Sequence, residues 1–424
     1  MILERIPLAE GTELLTIRDA RFHTARLSVT LFLPLSAETA TAYALLPELL
    51  SHASEAYPDM TQLSRRLCAL YGAGLSSSVA SVGDCQMLTL TVSCIDNRFC
   101  LDGEDAVGAC GELLADLLLC PHLAADGLFD ETDFLQEKRC LCERIAAEVN
   151  DKGVYARHRL SALLGNGEGF GVPFFGDAEK AAALTRKAAT DAWHDALRLA
   201  RIQFFYTAAD DGAGVAALLK KRFLHVKRQP CALSTVPLAV DEVRRGEERM
   251  AVEQAKLVMG FSVGAHEPHK ADIAAARLTA TLFGGSEHSL LFRHVREEMS
   301  LCYYCSATLN RVKGMITVHS GVDAADVGRA EKEILRQLAC MQAGDFSDDM
   351  LEAARRRLVG SLRENEDLQS SLFSWYRAQA LYPPFVTPAE AIRDIEKVTR
   401  EQVVAMANTV RLRGVFTLLP EETA

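Results

Sequence analysis

The sequence predicts an α+β protein built from two homologous domains in tandem. Three observations carry that expectation. The chain has 424 residues, too many for one hydrophobic core. Blocks of sequence recur in the same order in both halves. Between the two sets lies a stretch with two prolines and mixed charge, KRQPCALSTVPLAVDEVRRGEERM, which reads as a linker. The expected boundaries are a first domain over 1–228, a linker over 229–244 and a second domain over 245–424.

The elements follow from the recurring blocks. RRLCALYGAGLSSSVASVGDCQMLTLTVSC from Arg65 aligns with RHVREEMSLCYYCSATLNRVKGMITVHSGV from Arg293, at an offset of 228. Each reads as a helix end, a turn, a strand, a polar turn and a second strand. VGACGELLADLLLC from Val107 matches VGRAEKEILRQLAC from Val327, and FLQEKRCLCERI from Phe134 matches LEAARRRLVGSL from Leu351. These are helices. The helix from Thr190 with the strand IQFFYTA corresponds to the helix from Thr399 with the strand GVFTLLP. Small shifts in offset fall between elements, where loops absorb insertions. Asp59-Met-Thr-Gln62 starts one helix in the manner of a capping box, before an apolar stripe at Met60, Leu63, Leu67 and Leu70, and Gly72 is placed to end it.

Composition narrows the function. Hydrophobic residues are 49% and charged residues 24%, the balance of a soluble globular protein. The net charge of -11 opposes phosphate backbones, so nucleic acid is not expected as a partner. Glu4 and Arg5 stand where a signal peptide needs its apolar core, and no run approaches the ~20 apolar residues that span a bilayer. A cytoplasmic location away from membranes is therefore expected, and the twelve cysteines read as thiols. Cys302-Tyr-Tyr-Cys305 has C-x-x-C spacing, but it lies in a predicted strand, where residues three apart face opposite sides.

Several segments together resemble the insulinase/pitrilysin (inverzincin) metallopeptidases. GGSEHSLLFRHVREEMSLCYYCSA, Gly284 to Ala307, is similar to their Gly-Gly, Arg-Glu and Leu-x-Tyr signature. YPDMTQLSRRLCALYGA and PFFGDAEKAAALT resemble parts of their first domain. The resemblance spans nearly the whole chain. It implies that each half is a mostly antiparallel sheet flanked by helices, as in insulinase and mitochondrial-processing-peptidase relatives. Within the family the chain is most similar to a non-catalytic bacterial branch associated with the 5-aminopentanol modification of elongation factor P.

Active members of that family hold zinc with H-x-x-E-H on one helix and a later glutamate. Histidines four apart share a helical face, and the glutamate between them acts as general base. Placed by Tyr57-Pro58, the motif falls on Ala44, Leu45, Leu46, Pro47 and Glu48, so both histidines and the base are gone. Glu143 corresponds to the later ligand. His52 and Glu55 form three quarters of the motif eight positions too late. If a helix began at Pro47, Glu48, His52 and Glu55 would share one face. That stripe reads either as a metal site or as a solvated face. The resemblance further implies that Arg296 and Tyr303 assist at a substrate near the zinc of another subunit.

The resulting expectation is a non-catalytic subunit of a heteromeric zinc peptidase. It would carry no cofactor itself and would bind a peptide or unfolded segment beside a zinc-bearing, insulinase-family partner. The alternatives are an interaction protein supporting elongation factor P modification without proteolysis, and an autonomous metallopeptidase with an unrecognised site. Three other motifs are decoys. GNGEGFG, Gly165 to Gly171, follows a helix rather than a strand and reads as a flexible loop, not a phosphate loop. Ala265-His-Glu-Pro-His269 reads as a surface turn. Gly284-Gly-Ser286 lacks the second glycine of a serine-hydrolase elbow.

Overall fold

A computed structural model describes residues 2–165, 167–266 and 272–421. His269 and Asn166, singled out above within their motifs, lie outside the described residues. The chain divides into two compact units, Met1–Ala146 with Val172–Ser234, and Ala147–Gly171 with Thr235–Ala424. The segment 147–171, inside the 1–228 span of the sequence reading, thus packs with the second unit.

The first unit holds strands β1 (Ile2–Ala9), β2 (Thr12–Arg18), β3 (Thr24–Pro34), β4 (Gly74–Val82), β5 (Cys85–Ile95) and β6 (Arg201–Ala208). Its helices include α1 (Ala40–Leu50), α2 (Met60–Ala69), α3 (Ala106–Leu119) and α4 (Glu131–Ala147). After α5 (Lys152–Gly165), which belongs to the second unit, come α6 (Ala178–Ala183), α7 (Arg186–Leu199) and α8 (Ala213–Phe223). The second unit continues with β7 (Arg244–Met250), β8 (Ala255–Ser262), α9 (Ile273–Gly284), β9 (Cys302–Asn310) and β10 (Met315–Val322). It ends with α10 (Val327–Ala343), α11 (Asp348–Glu364), α12 (Gln369–Arg377), α13 (Pro388–Glu396), α14 (Arg400–Ala407) and β11 (Arg411–Pro420).

The internal duplication is visible in the strand order. The first sheet runs β1-β2-β6-β3-β5-β4 and the second β7-β11-β8-β10-β9. With β1 set aside, each position in one sheet has its counterpart in the other. Both are antiparallel except for one parallel pair, β2 with β6 and β7 with β11. Each unit is a mostly antiparallel sheet with helices packed on it and its own apolar core. The starts of α2 and α14 follow local capping rules. Asp59 accepts from the Gln62 amide at 2.8 Å, and Thr399 and Gln402 form a reciprocal capping box. No helix among the described residues is long and apolar enough to cross a membrane.

The second sheet is covered on both faces, and alternation in β8 shows how. Leu257, Met259 and Phe261 enter the core formed with α9, α10, α11 and α14, while Val258 joins Ala156, Leu160 and Leu164 of α5. The close approach of α5 depends on glycine. Gly260 and Gly414 are cross-strand partners, and a Cβ on either would meet a Leu164 methyl at 2.7 or 2.8 Å. Beyond α5 the glycine-rich segment is pinned through its described residues. The buried Lys313 amine lies 2.9 Å from Glu168 and 5.3 Å from the centre of the Phe170 ring. Those contacts give Glu168 and Phe170 partners within the second unit.

Candidate functional site

The degenerate motif lies on α1. This helix buries Tyr43, Ala44, Leu45, Leu46, Pro47, Leu49 and Leu50 against the first core. Pro47 sits in the helix interior, not at its start, and lacks the N–H that would bond the Tyr43 carbonyl. The helix stops at Leu50, so the premise of a helical stripe through Glu48, His52 and Glu55 does not hold. Glu55 is exposed beyond the turn. Ala44 and Pro47 offer no donor to a metal. Glu48 is the one motif position with a ligating group, and it is already engaged. It accepts the Ser77 hydroxyl of β4 at 2.7 Å and the Arg144 guanidinium of α4 at 3.1 Å.

Two residues earlier in the reading take different roles. Glu143, the counterpart of the distal ligand, is 69% exposed and lies 3.7 Å from Arg139 on its own helix. Its neighbour Arg144 points a positive charge at Glu48, so the polypeptide supplies the cation that this carboxylate faces. His52 is 14% exposed and lies between two carboxylates of α4, with Nε2 2.9 Å from Glu137 and Nδ1 3.5 Å from Asp133. The hydrogen bond to Glu137 raises the imidazole above its ordinary pKa and outweighs burial, and the same bond lowers Glu137. Both ring nitrogens thus face carboxylates of α4. Among the described residues no group of three or more His, Cys, Asp or Glu could hold a metal ion. The side chains around α1 therefore do not fit zinc. Sequence reading missed Asp133, Glu137 and Arg144. Their spacing of four and then seven along α4 puts them on one helical face, but does not show that α1 lies opposite it.

The second pair of candidates lies in the other unit. Arg296 belongs to a π-helical turn, Phe292–Glu298, and leads through Ser300, at a φ of 50°, into β9. Its guanidinium stacks on the Phe292 ring at 4.5 Å, lies 3.6 Å from Glu297 and stays 41% exposed. Tyr303 is 64% exposed on β9, an edge strand. The register explains its posture. Tyr304 pairs with Gly321 while Cys302 pairs with Val322, so Tyr303 is the extra residue of a β-bulge. The bulge also brings Cys302 and Cys305 to the same buried side, where simple alternation predicts opposite sides. Their mutual hydrogen bond holds the Cys302 thiol low and pushes the Cys305 thiol up. All twelve cysteines are free thiols.

Comparison with known proteins accounts for this arrangement. A profile of the peptidase M16 inactive domain matches residues 183–358. Over that stretch the chain is similar to the M16, insulinase/pitrilysin, peptidases. A relative named "Probable inactive metalloprotease YmfF", from Bacillus subtilis (strain 168), is 24% identical over 417 residues, 96% of each chain. "Uncharacterized zinc protease YmxG", from the same strain, is 24% identical over 66% of this chain and 68% of its own length. Among solved structures, a conserved protein from Enterococcus faecalis V583 superposes with a TM-score of 0.91 at 24% identity, covering 100% of this chain and 99% of that one. A peptidase M16 inactive domain from Pseudomonas fluorescens gives a TM-score of 0.80 at 16% identity, covering 99% of both. At these identities the structural likeness shows a shared fold.

Proposed function

We propose that this chain is the zinc-less subunit of a two-subunit M16 peptidase of the cytoplasm. In this reading a family member with an intact H-x-x-E-H motif supplies zinc and base. This chain supplies Arg296 and Tyr303, which reach the substrate near the scissile peptide. The observation that carries the reading is the contrast between the two units. The motif helix is filled with Ala44, Pro47 and an Arg144-bound Glu48. The assisting pair, by contrast, is exposed, and the Tyr303 phenol has no hydrogen-bond partner among the described residues. A phenol donates to a developing oxyanion, and a guanidinium fixes a carbonyl or carboxylate in a forked geometry. The substrate would be a peptide or unfolded segment, taken up as an added strand.

Co-expression with a tagged H-x-x-E-H relative from the same genome tests the partnership. The expected result is co-elution of the two chains with peptidase activity that neither shows alone. Recovery of elongation-factor modification proteins without any zinc-bearing relative would instead support a scaffold role without proteolysis.

A further inference from the structure

The face of the second sheet that carries α5 holds a basin of ≈590 Å³, lined entirely by residues of the second unit. Its floor follows the strand register. Lys256 of β8, Gly321 of β10 and Tyr304 of β9 form one cross-strand row, and His319 pairs with Ser306 in the next. Gly321 has a local reason to be glycine, because a Cβ there would stand 2.7 Å from the Tyr304 ring. The wall is the first two turns of α5, including Gly153 and Arg157.

What distinguishes the basin is its surplus of donors. Arg157, Lys256 and the Tyr304 hydroxyl are half-buried, and none has a hydrogen-bond or ion-pair partner among the described residues. The Lys256 amine rests 5.6 Å from the centre of the Tyr304 ring. His319 places Nε2 3.0 Å from the Ser306 hydroxyl, while its buried Nδ1 lacks a partner. Burial and the nearby Arg157 charge lower the His319 pKa, which keeps the imidazole neutral near pH 7. Half-buried donors without acceptors are costly, and three around one hollow indicate an acceptor supplied from outside. The charge is that of a monoanion site. Arg157 and Lys256 contribute two positive charges and Asp151 one negative, while Lys152 turns its amine to the Met250 sulfur at 3.2 Å. The amino end of the 14-residue α5 adds partial positive charge in the same direction.

We propose that this basin binds a carboxylate, gripped by Arg157 and Lys256 with the Tyr304 hydroxyl as a third donor. The carboxylate belongs either to a peptide end or to a free organic acid. A phosphate dianion would leave excess negative charge beside Asp151. The site is independent of any zinc-bearing partner, so it is tested on the full chain alone. Isothermal titration would compare an N-acetylated peptide ending in a free carboxylate, the same peptide as its C-terminal amide, propionate and inorganic phosphate. The expected result is saturable binding of the free-acid peptide, of propionate, or of both, at least ~10-fold tighter than phosphate. That preference should vanish in Arg157→Met/Lys256→Met and weaken in Tyr304→Phe, with circular dichroism and thermal unfolding unchanged. A free-acid peptide bound over its amide, with propionate weak, assigns the site to peptide ends, and propionate bound alone assigns it to free acids. Three outcomes overturn the proposal: no carboxylate binds, phosphate binds more tightly, or the preference survives in the folded double variant.

Discussion

Arg296→Ala and Tyr303→Phe are each expected to lower kcat/KM of the proposed two-subunit peptidase by roughly 10²–10³, the scale seen when one oxyanion donor is removed. Both side chains are exposed in this chain, 41% for Arg296 and 64% for Tyr303. Neither substitution should change stability by more than ~0.5 kcal/mol, because surface changes away from caps, cores and buried pairs rarely do. Arg296 gives up a stacking contact with Phe292 and a 3.6 Å approach to Glu297, and Tyr303 gives up a hydroxyl with no partner among the described residues. Steady-state kinetics on the complex, with thermal unfolding of the subunit alone, separates the two effects. Because the residues would act on one transition state, the double variant should fall short of the product of the single losses. A complex that cleaves peptides at the wild-type rate with both residues replaced would remove this chain from the chemistry.

The second large effect concerns stability. His52→Ala should destabilise the first unit by ~3 kcal/mol, because it strands a 7% exposed Glu137 without its cationic partner. The effect should depend on pH in a defined sense. The raised His52 pKa contributes stability that is complete below the ordinary imidazole value of 6.5 and is lost as pH climbs through the folded value. The lowered Glu137 pKa contributes stability present above the ordinary 4.5 and lost as pH falls through its folded value. The pair therefore supports the fold most strongly between about 4.5 and 6.5. Urea unfolding of wild type and variant at pH 6 and pH 9 should show the difference shrinking at the higher pH. A difference that grew with pH would mean that His52 is neutral in the folded chain.

The duplicated plan was legible because each repeat keeps its own local period. The hairpins at Gly74–Ile95 and Cys302–Val322 and the helices that follow them stand where aligned blocks placed them. That the chain contains no H-x-x-E-H is read directly from its residues, while the placement of the motif on Ala44, Pro47 and Glu48 rests on the resemblance. What sequence concealed were relations across long separations. The amphipathic pattern of Tyr155 to Leu164 announces a helix, but not that Leu160 and Leu164 seat on Gly260 and Gly414 some hundred and more residues later. Alternation misplaced Cys305 because a single extra residue, Tyr303, reverses the facing of everything on one side of it. Pro47 lies inside a helix that propensity would end, because the buried faces of Tyr43, Leu46 and Leu50 hold the helix through the missing bond.

The central claim is that the first unit of this chain cannot grip a catalytic zinc ion. Metal analysis of the purified chain, coupled to a peptide-cleavage assay with and without chelator, tests it most directly. The account predicts zinc far below one equivalent per chain and no chelator-sensitive hydrolysis. A stoichiometric zinc, with cleavage abolished by chelator and restored by added zinc, would contradict it.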